Sequence, residues 1–374
     1  MDRTGRVGIV GGGQLAVMMA EAADELGVEV VGLVRSSDDP LLAIVPDAFV
    51  GDATSAADLR RLSRSSDVIT FDHELVDHRV IAELEAEGIV FRPGSTALAI
   101  ATDKRRQAGL FEALELAQPR TIVVNDVFAA LQAIDRFDGA AVLKTATGGY
   151  DGRGVLLDVT ESSIREWFSS APVDVLVQRA VPIDHELAVQ VVRGVDGSVV
   201  AYPPVLTVQS AGMCSHVHVP SSLGAEIENE AALIARTIAE AIDVIGLLTV
   251  EFFVSGDALL VNELAARPHN SGHLTIEACR TSQFANHLRA VAGLALGSSD
   301  LVVPAAAMVN LVGEVRNDHD LLEDESDVKV HLYGKKPRPG HKIGHVTAVA
   351  GSPSAAVERA VETADRLRAE RVAS

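Results

Sequence analysis

The chain has 374 residues, enough for about two or three domains with hydrophobic cores of their own. Hydrophobic residues make up 48% and charged residues 22%, an ordinary globular composition that excludes a disordered chain. A net charge of −20 argues against a general nucleic-acid binder, and Cys214 and Cys279, which lack metal-ligand spacing, argue against a disulfide framework.

The first elements predict a small doubly wound domain. Strands are predicted at four apolar runs, residues 7–10, 28–34, 67–71 and 88–91. Gly11-Gly12-Gly13 separates the first strand from a helical pattern over residues 15–26, so strand, turn, helix and strand form a right-handed βαβ unit. Residues 1–97 are therefore predicted to form one Rossmann-like domain.

Later segments mix strands and helices. Thr102 or Asp103 is the predicted cap of a helix that runs to about residue 116, where Pro119 ends it. Long strands are predicted at 187–192, 247–254 and 258–261, and helices at 225–245 and 282–294. The predicted fold class is α/β and α+β. Three further parts are predicted: a linker helix with a small subdomain (98–185), a large subdomain (186–300) and a C-terminal domain (301–374).

The N-terminal residues and the hydropathy indicate the cellular location of the protein. Residues 1–6 lead directly into an apolar strand, without the pattern of a signal peptide. The most apolar run, residues 244–254, is too short to span a membrane and contains Glu251. We therefore expect a cytoplasmic protein with no membrane partner and no nucleic-acid partner.

Residues 11–16 fit the pattern G-x-G-x-x-A between a strand and a helix, which is typical of dinucleotide binding. The glycines let the backbone close tightly, and the N-terminus of the helix presents free N–H groups to an anion. No acidic residue follows the second strand, but Arg35 stands there and can meet a 2′-phosphate. Two alternatives stay open, an NADP-dependent oxidoreductase and a site for a phosphate-bearing substrate.

Lys144 ends an apolar strand just before a glycine-rich segment, residues 148–154. A lysine there supplies a fixed point charge, and the loop can close over phosphates with its N–H groups. Four glycines in seven residues exceed what a hairpin needs. This favours a nucleotide site over the alternative, a plain hairpin with a solvent-facing lysine.

Glu251 and Glu263 are predicted to share one face of a β-hairpin. A loop of three or five residues around Ser255-Gly256-Asp257 places them opposite or diagonal to each other. Asn262 then points to the other face or reaches round at the strand end. Two close carboxylates repel each other unless a cation or a proton lies between them, and Mg²⁺ commonly binds carboxylates together with nucleotide phosphates. The alternative is a pair of solvated glutamates.

The segment after this hairpin, residues 266–273, is too irregular for a helix and rich in polar side chains. Arg267 can bind bicarbonate or phosphate bidentately. The other hydrogen-bonding side chains are His269, Asn270, Ser271 and His273. Two histidines next to a predicted metal pair favour a substrate pocket over a structural role.

A basic segment follows near the C-terminus. Five cationic side chains fall between Lys329 and Lys342 in a protein of net charge −20, and prolines and glycines stiffen the segment. Such a concentration of positive charge predicts a local anion site. An exposed basic loop without a partner is the alternative.

These segments, in this order, resemble the ATP-grasp family, and within it the 5-(carboxyamino)imidazole ribonucleotide synthases of purine biosynthesis. The shared motifs cover nearly the whole chain: GGGQL, VLK, GGYDGRG, VEFF…NE, ARPHNSGH and HLYGK…HKIGH. The resemblance implies an ATP-grasp fold with ATP and Mg²⁺ as cofactors. It also implies a ligase that uses ATP and bicarbonate to carboxylate aminoimidazole ribonucleotide through carboxyphosphate, and a homodimer, since dimers are common in the family.

The resemblance further implies roles for individual residues. The metal ligands would be Glu251 and Glu263. The catalytic residues would be Arg267, His273, Lys144 and Tyr150. The nucleotide would be bound by Lys104, Lys144, Gly149, Tyr150, Asp151, Gly152, Arg153, Gly154, Gln178, Arg179, Ala180, Val181, Glu186, Gln209, Asn262 and Glu263. The bicarbonate and ribonucleotide would be bound by Gln14, Leu15, Asp72, His269, Asn270, Ser271, Lys335, Arg338, His341 and Lys342.

The chain departs from the family pattern around the ATP base and the substrate phosphate. Ala16-Val17 stands in place of Gly-Arg, and Asp72-His73 in place of Glu-Phe. Single replacements occur at Lys104, Gln178 and His341, and residues 202–209 lack the usual Glu, Asn and His. The reaction type is thus better supported than the substrate. Two further alternatives stay open, an ATP-grasp ligase for another amine or acid and a nucleotide-binding protein that has lost activity.

Overall fold

The structure is a computed structural model that describes residues 5–148, 154–170, 174–210, 212–315 and 326–368. Three β-sheets, of four, four and nine strands, organise these residues, and helices pack against them. The combination of one parallel sheet with two antiparallel sheets confirms the predicted α/β and α+β class. Within the described residues, no helix has the length and hydropathy needed to cross a membrane.

The N-terminal sheet is parallel throughout, with the order β3-β2-β1-β4. Its strands are β1 (Val7–Val10), β2 (Val30–Val34), β3 (Phe49–Val50) and β4 (Val68–Phe71). Helix α1 (Gln14–Leu26) covers one face, while α2 (Ala56–Ser63) and α3 (His78–Ala86) cover the other. Helices on both faces of a parallel sheet confirm the predicted doubly wound domain.

The predicted strand at residues 88–91 is wrong. Only an isolated parallel bridge joins Phe91 to Ile69. The N–H of Arg92 still donates to the carbonyl oxygen of Ile69 at 2.9 Å. Pro93 follows, and because proline has no N–H group the ladder cannot continue.

Two helices, α4 (Ser95–Ala101) and α5 (Lys104–Ala113), lead to the second sheet. Asp103 caps α5 by accepting a hydrogen bond from the N–H of Arg105 at 2.9 Å, which confirms one of the two predicted caps. The antiparallel strands are β5 (Thr121–Val124), β6 (Ala141–Thr145), β7 (Val155–Leu156) and β8 (Val175–Arg179), in the order β5-β8-β6-β7. Helices α6 (Val127–Asp135) and α7 (Glu161–Ser170) supply apolar residues to the core of this sheet.

The largest sheet is antiparallel and has nine strands. They are β9 (His185–Arg193), β10 (Val199–Ala201), β11 (Val205–Ser210), β12 (Met213–Val219), β13 (Gly246–Ser255), β14 (Ala258–Ala265), β15 (Ala305–Val312), β16 (Val328–Leu332) and β17 (Lys342–Ala350). The order is β14-β13-β9-β11-β12-β15-β17-β16, with β10 beside β9. Strands from before and after residue 300 therefore form one sheet, joined where β12 pairs with β15. The predicted division of the chain into four parts stays a prediction.

Four helices accompany the large sheet: α8 (Ala225–Ala241), α9 (Thr275–Ala278), α10 (Gln283–Ala292) and α11 (Pro353–Arg368). Helix α10 joins the large sheet to the N-terminal sheet through the fully buried His287. Its Nδ1 accepts the N–H of Leu247 at 3.0 Å, and its Nε2 lies 2.8 Å from the hydroxyl of Thr70. Since Nδ1 is an acceptor, Nε2 carries the proton and donates to Thr70.

Candidate functional site

Glu251 and Glu263 lie directly opposite each other on β13 and β14. The predicted loop of three or five residues is wrong, because Ser255 pairs with Ala258 and leaves a two-residue turn. A two-residue turn alone would put the glutamates on different faces. A β-bulge between Glu251 and Phe252 shifts the register by one residue and restores the predicted shared face.

Two lysines from other elements converge on this pair. Lys104, the first residue of α5, donates a hydrogen bond from Nζ to Oε1 of Glu263. Lys144 on β6 donates to Oδ1 of Asn262 at 2.9 Å. Asn262 is the extra residue of the bulge, so it reaches the same cluster, which settles the two orientations left open by the sequence.

Burial governs the ionisation of this cluster. Burial, and then the nearby charge of Glu263, raises the pKa of Glu251 to about 7. Burial lowers the pKa of Lys144 to about 8, although the neighbouring carboxylates oppose this. The two carboxylates therefore favour additional positive charge beside them.

Glu186, which is predicted to bind the nucleotide, lies near the carboxylate pair. Glu186 pairs with Phe253, which places it on the face of the sheet that carries Glu251. Its carboxylate accepts a hydrogen bond from Nε2 of Gln209 at 3.1 Å, and burial raises the pKa of Glu186. Gln178, the residue before the last of β8, donates to the hydroxyl of Thr121 at 3.2 Å. Arg179 and Ala180 are exposed and Val181 is half-buried.

Most of the predicted phosphate loop, Gly149, Tyr150, Asp151, Gly152 and Arg153, lies outside the described residues. Gly154 is described, and its carbonyl oxygen accepts the N–H of Thr145 at 2.9 Å. The described residues before and after these five, at the end of β6 and the start of β7, are therefore neighbours. The roles assigned to its residues stay predictions.

Arg267 and His269 place the segment after β14 beside the carboxylate pair. Nε2 of His269 lies 3.6 Å from Oε1 of Glu251. Arg267 donates from Nη1 to the carbonyl oxygen of Pro268 at 3.2 Å, and its Nε lies 3.5 Å from Oε2 of Glu74. A histidine thus lies next to the predicted metal ligand Glu251, while the guanidinium of Arg267 lies beside Glu74.

The next residues of that segment turn inward. Asn270 exchanges two amide hydrogen bonds with Asn310, at 2.9 and 2.8 Å, and Ser271 accepts one from Gln190 at 2.7 Å. His273 has no exposed surface, and its ring packs against the side chain of His345, with 5.0 Å between ring centroids. Burial holds the pKa of His273 well below its usual range. This argues against the predicted contact of His273 with bicarbonate and leaves His269 as the histidine beside the carboxylates.

The glycine loop after β1 is held by Asp72. Oδ2 of Asp72 accepts the N–H of Gly13 at 2.8 Å. Gly11 has a φ of 116°, and a Cβ there would lie 1.6 Å from Oδ1 of Asp72, so only glycine fits. Burial raises the pKa of Asp72. The predicted contact of Leu15 with substrate is not supported by its side chain, which is 7% exposed and lies in the N-terminal core.

The basic segment reaches back to this loop. Nζ of Lys335 donates to Oε1 of Gln14, and Lys336 pairs with Asp38 at 2.9 Å. Arg338 and His341 are exposed, and Lys342 is half-buried. The structure thus brings Gln14, Asp72 and Lys335 together, as predicted from two distant parts of the sequence.

Several residues of the site were missed. Glu74 accepts the N–H of Ala266 at 2.8 Å and lies beside Arg267. The end of a parallel strand, β4, and the alternation with Asp72 were signals that could have identified it. Tyr333 bonds to Nδ1 of His345 at 2.8 Å, and His331 bonds to Glu277 at 2.7 Å. No sequence pattern predicts these pairs, because they depend on tertiary packing.

Three family models match consecutive parts of the chain. The ribonucleotide synthetase preATP-grasp domain matches residues 4–102. The ATP-grasp domain matches residues 109–284, and the phosphoribosylaminoimidazole carboxylase C-terminal domain matches residues 306–359. The predicted ATP-grasp fold, with a Rossmann-like domain before it and a C-terminal domain after it, is thereby confirmed.

Relatives and solved structures match over nearly the full length. The N5-carboxyaminoimidazole ribonucleotide synthase of Mycobacterium tuberculosis strain H37Rv is 41% identical, over 95% of this chain and 86% of its own. The Thermus thermophilus synthetase superposes with a TM-score of 0.88 at 33% identity, covering 98% and 100% of the two chains. An Aspergillus clavatus synthase solved with ADP and 5-aminoimidazole ribonucleotide gives a TM-score of 0.88 at 27% identity, covering 98% and 100%.

Proposed function

The chain belongs to the N5-carboxyaminoimidazole ribonucleotide synthase family of ATP-grasp enzymes, and from this membership we propose its reaction. The protein is an ATP-dependent ligase that carboxylates 5-aminoimidazole ribonucleotide to N5-carboxyaminoimidazole ribonucleotide in purine biosynthesis. The observation that carries the proposal is the meeting of three groups at the β13–β14 hairpin. Two opposed glutamates, two lysines and His269 lie side by side there.

The reaction proposed for this site has two steps. An oxygen of bicarbonate attacks the γ-phosphorus of ATP, the bond to the β-phosphate oxygen breaks, and ADP leaves with that electron pair. The resulting carboxyphosphate, or the CO₂ it releases, is then attacked by the amine of the ribonucleotide. Phosphate departs and the amine loses one proton. Such chemistry requires positioning and charge neutralisation rather than a covalent nucleophile on the protein.

The carboxylate pair fits Mg²⁺, which we propose as the cofactor that accompanies ATP. Glu251 and Glu263 would hold it, and Asn262 offers an amide oxygen beside them. Among the described residues no group of three or more His, Cys, Asp and Glu could hold a metal, so other ligands would come from phosphates and water. When bound, the metal would neutralise phosphate charge.

Other residues of the chain bind the phosphates, the bicarbonate and the ribonucleotide in this proposal. Lys104 and Lys144 supply positive charge at the nucleotide phosphates, next to Glu263 and Asn262, which they respectively contact. The guanidinium of Arg267 attracts bicarbonate, and His269 lies 3.6 Å from Glu251. Lys335, with Gln14, lies on the ribonucleotide side, where Gly13 and Asp72 hold the glycine loop. The bound amine would thus meet the activated carboxyl group between the glycine loop after β1 and the segment after β14.

Phosphate release measured with purified protein tests the function. We expect release from Mg-ATP to require both 5-aminoimidazole ribonucleotide and bicarbonate, and ¹³C-bicarbonate to label the product. Equal release without the ribonucleotide would instead favour an ATP-grasp ligase for another amine. Because Arg35 is exposed, a thermal-shift comparison of Mg-ATP with NADPH tests the oxidoreductase alternative, and stabilisation by NADPH alone would support it.

We also propose that the protein is a cytoplasmic homodimer. The support is the resemblance to a family in which dimers are common. Light scattering coupled to size-exclusion chromatography measures the assembly directly. A mass near the 39.4 kDa of one chain would contradict the dimer.

A further inference from the structure

Glu74 follows β4 but contacts a loop of the large sheet. Its Oε1 accepts the N–H of Ala266 at 2.8 Å, across 192 positions of sequence. Its Oε2 lies 3.5 Å from Nε of Arg267. The side chains of Glu74 and Arg267 are each 20% exposed, so water screens this ion pair only in part. Glu74 is thus a charged contact between the N-terminal domain and the acceptor loop.

The contacts of Arg267 define how its guanidinium is held. Nη1 donates to the carbonyl oxygen of Pro268, and the buried Nε has no hydrogen bond in the described part of the chain. Glu74 is the carboxylate within 4 Å of that guanidinium among the described residues. A guanidinium is planar, so constraints at Nε and Nη1 fix the direction of the remaining nitrogen, Nη2.

Glu74 and Asp72 lie two residues apart, directly after β4. Asp72 accepts the N–H of Gly13 in the glycine loop, and Glu74 accepts the N–H of Ala266 next to Arg267. These two neighbouring side chains therefore contact the loop proposed for the ribonucleotide and the loop proposed for bicarbonate.

We propose that Glu74 is a positioning residue that orients Arg267 toward the acceptor anion and ties that orientation to the glycine loop. This inference rests on the proposed function. A neighbouring carboxylate stabilises a partly buried guanidinium, and a fixed fork binds a planar anion better than a mobile one. Loss of the carboxylate charge leaves Arg267 in place but removes the ion pair at its Nε.

Steady-state phosphate release tests Glu74→Gln, which keeps an oxygen for the N–H of Ala266 but removes the charge. We expect the KM for bicarbonate to rise about tenfold, with the KM for ATP changed less than about twofold. The matched control is Glu83→Gln, which removes one exposed carboxylate from α3 and should leave both constants unchanged. Equal effects on ATP and bicarbonate in Glu74→Gln would overturn the proposal, since a general loss of structure predicts them.

A double-mutant cycle with Arg267→Lys separates a positioning role from an independent one. If Glu74 acts through Arg267, the double variant should lose no more kcat/KM for bicarbonate than Arg267→Lys alone, within about twofold. Effects that multiply would show that Glu74 acts elsewhere and would reject the proposal. Glu74→Asp, which restores the charge on a shorter stem, should recover part of the loss.

Thermal unfolding of the wild type, Glu74→Gln, Arg267→Lys and the double variant gives a readout that does not depend on the reaction. Coupling between the two substitutions is expected in the free energy of unfolding, because the ion pair is partly buried. Additive free energies, together with an unchanged KM for bicarbonate, would refute the contact and its role. If the wild-type protein needs no bicarbonate, the proposed function fails, while coupling in unfolding would still establish the Glu74–Arg267 pair.

Discussion

Single side chains at this site carry charges that are partly removed from water. Glu251 and Glu263 oppose each other, and the pKa of Glu251 rises to about 7 through burial and then through Glu263. Lys104 contacts Glu263, and Lys144 contacts Asn262 rather than a carboxylate. The cluster therefore combines cationic and anionic groups whose balance changes when a nucleotide and a cation bind.

Glu263→Gln should lower turnover at least about 100-fold, because the side chain loses the charge that is proposed to bind Mg²⁺ and that pairs with Lys104. The melting temperature should stay close to that of the wild type, since the side chain is 35% exposed. Phosphate release and thermal melts measure both effects. Asp257→Asn, in the exposed turn of the same hairpin, is the control. Near-normal turnover in Glu263→Gln would refute the metal assignment.

The buried His287 should make the free energy of unfolding fall at acidic pH. Burial lowers its pKa to about 3, so the unfolded chain takes up a proton below about pH 6.5 and the folded chain does not. The contribution of His287 to the free energy of unfolding is thus fully present above that pH and falls as the pH drops toward 3. The loss from this histidine should reach about 2 kcal/mol at pH 5.

His287→Asn should destabilise the protein by about 2 kcal/mol at pH 8, because the bond to Thr70 is lost. The variant should also lose less stability than the wild type between pH 7 and pH 5, since this titrating group is gone. Urea unfolding at several pH values measures both. His185→Asn removes an exposed histidine and should leave the pH dependence unchanged. The same pH dependence in wild type and His287→Asn would contradict the assignment.

Among the secondary-structure elements, the bulged hairpin β13–β14 carries the carboxylate pair. The bulge adds Asn262 to β14 and brings Glu263, rather than Asn262, opposite Glu251. The extra residue supplies the amide that accepts a hydrogen bond from Lys144. A hairpin from which Asn262 is deleted would keep the carboxylate pair but lack this amide.

Deletion of Asn262 should therefore keep the register of Glu251 and Glu263 and raise the KM for ATP about tenfold. Asn262→Ala, which keeps the bulge and removes the amide, should behave in the same way. Steady-state kinetics and circular dichroism on both variants provide the comparison. If deletion abolishes activity while Asn262→Ala is normal, the bulged backbone matters and the amide does not.

In the whole molecule, the nine-stranded sheet joins parts that the sequence assigned to separate domains. β15 pairs with β12, so Met308 lies opposite Val217, and both are buried in the same core. α10 links this sheet to the N-terminal one through His287 and Thr70. The ligand-binding loops are therefore held by one connected framework.

A chain that ends at residue 300 should not fold to a stable product. It would expose the edge of β12 and the apolar side chains that β15 covers, such as Val217. Soluble expression and thermal melts test this, with a chain that ends at residue 368 as control. A soluble 1–300 fragment with a cooperative melt would contradict the expectation and support independent domains.

The sequence alone determined the local parts of the fold and the chemistry of the site. The strand, glycine loop and helix at the N-terminus and the Asp103 cap follow from propensity and periodicity over short distances. The shared face of Glu251 and Glu263 was predicted from a loop of the wrong length, and the bulge in β14 provides it. Motif order also identified the family. Such features are predictable because neighbouring residues decide them.

Only the tertiary structure decided which polar residues reach the site. It buries His273, leaves His269 beside Glu251, and brings Glu74 to Arg267 from 193 positions away in the numbering. It also shows that residues on both sides of position 300 share one sheet. Periodicity reports which face of an element is apolar but not which distant element covers it, because that choice depends on the packing of whole sheets and helices.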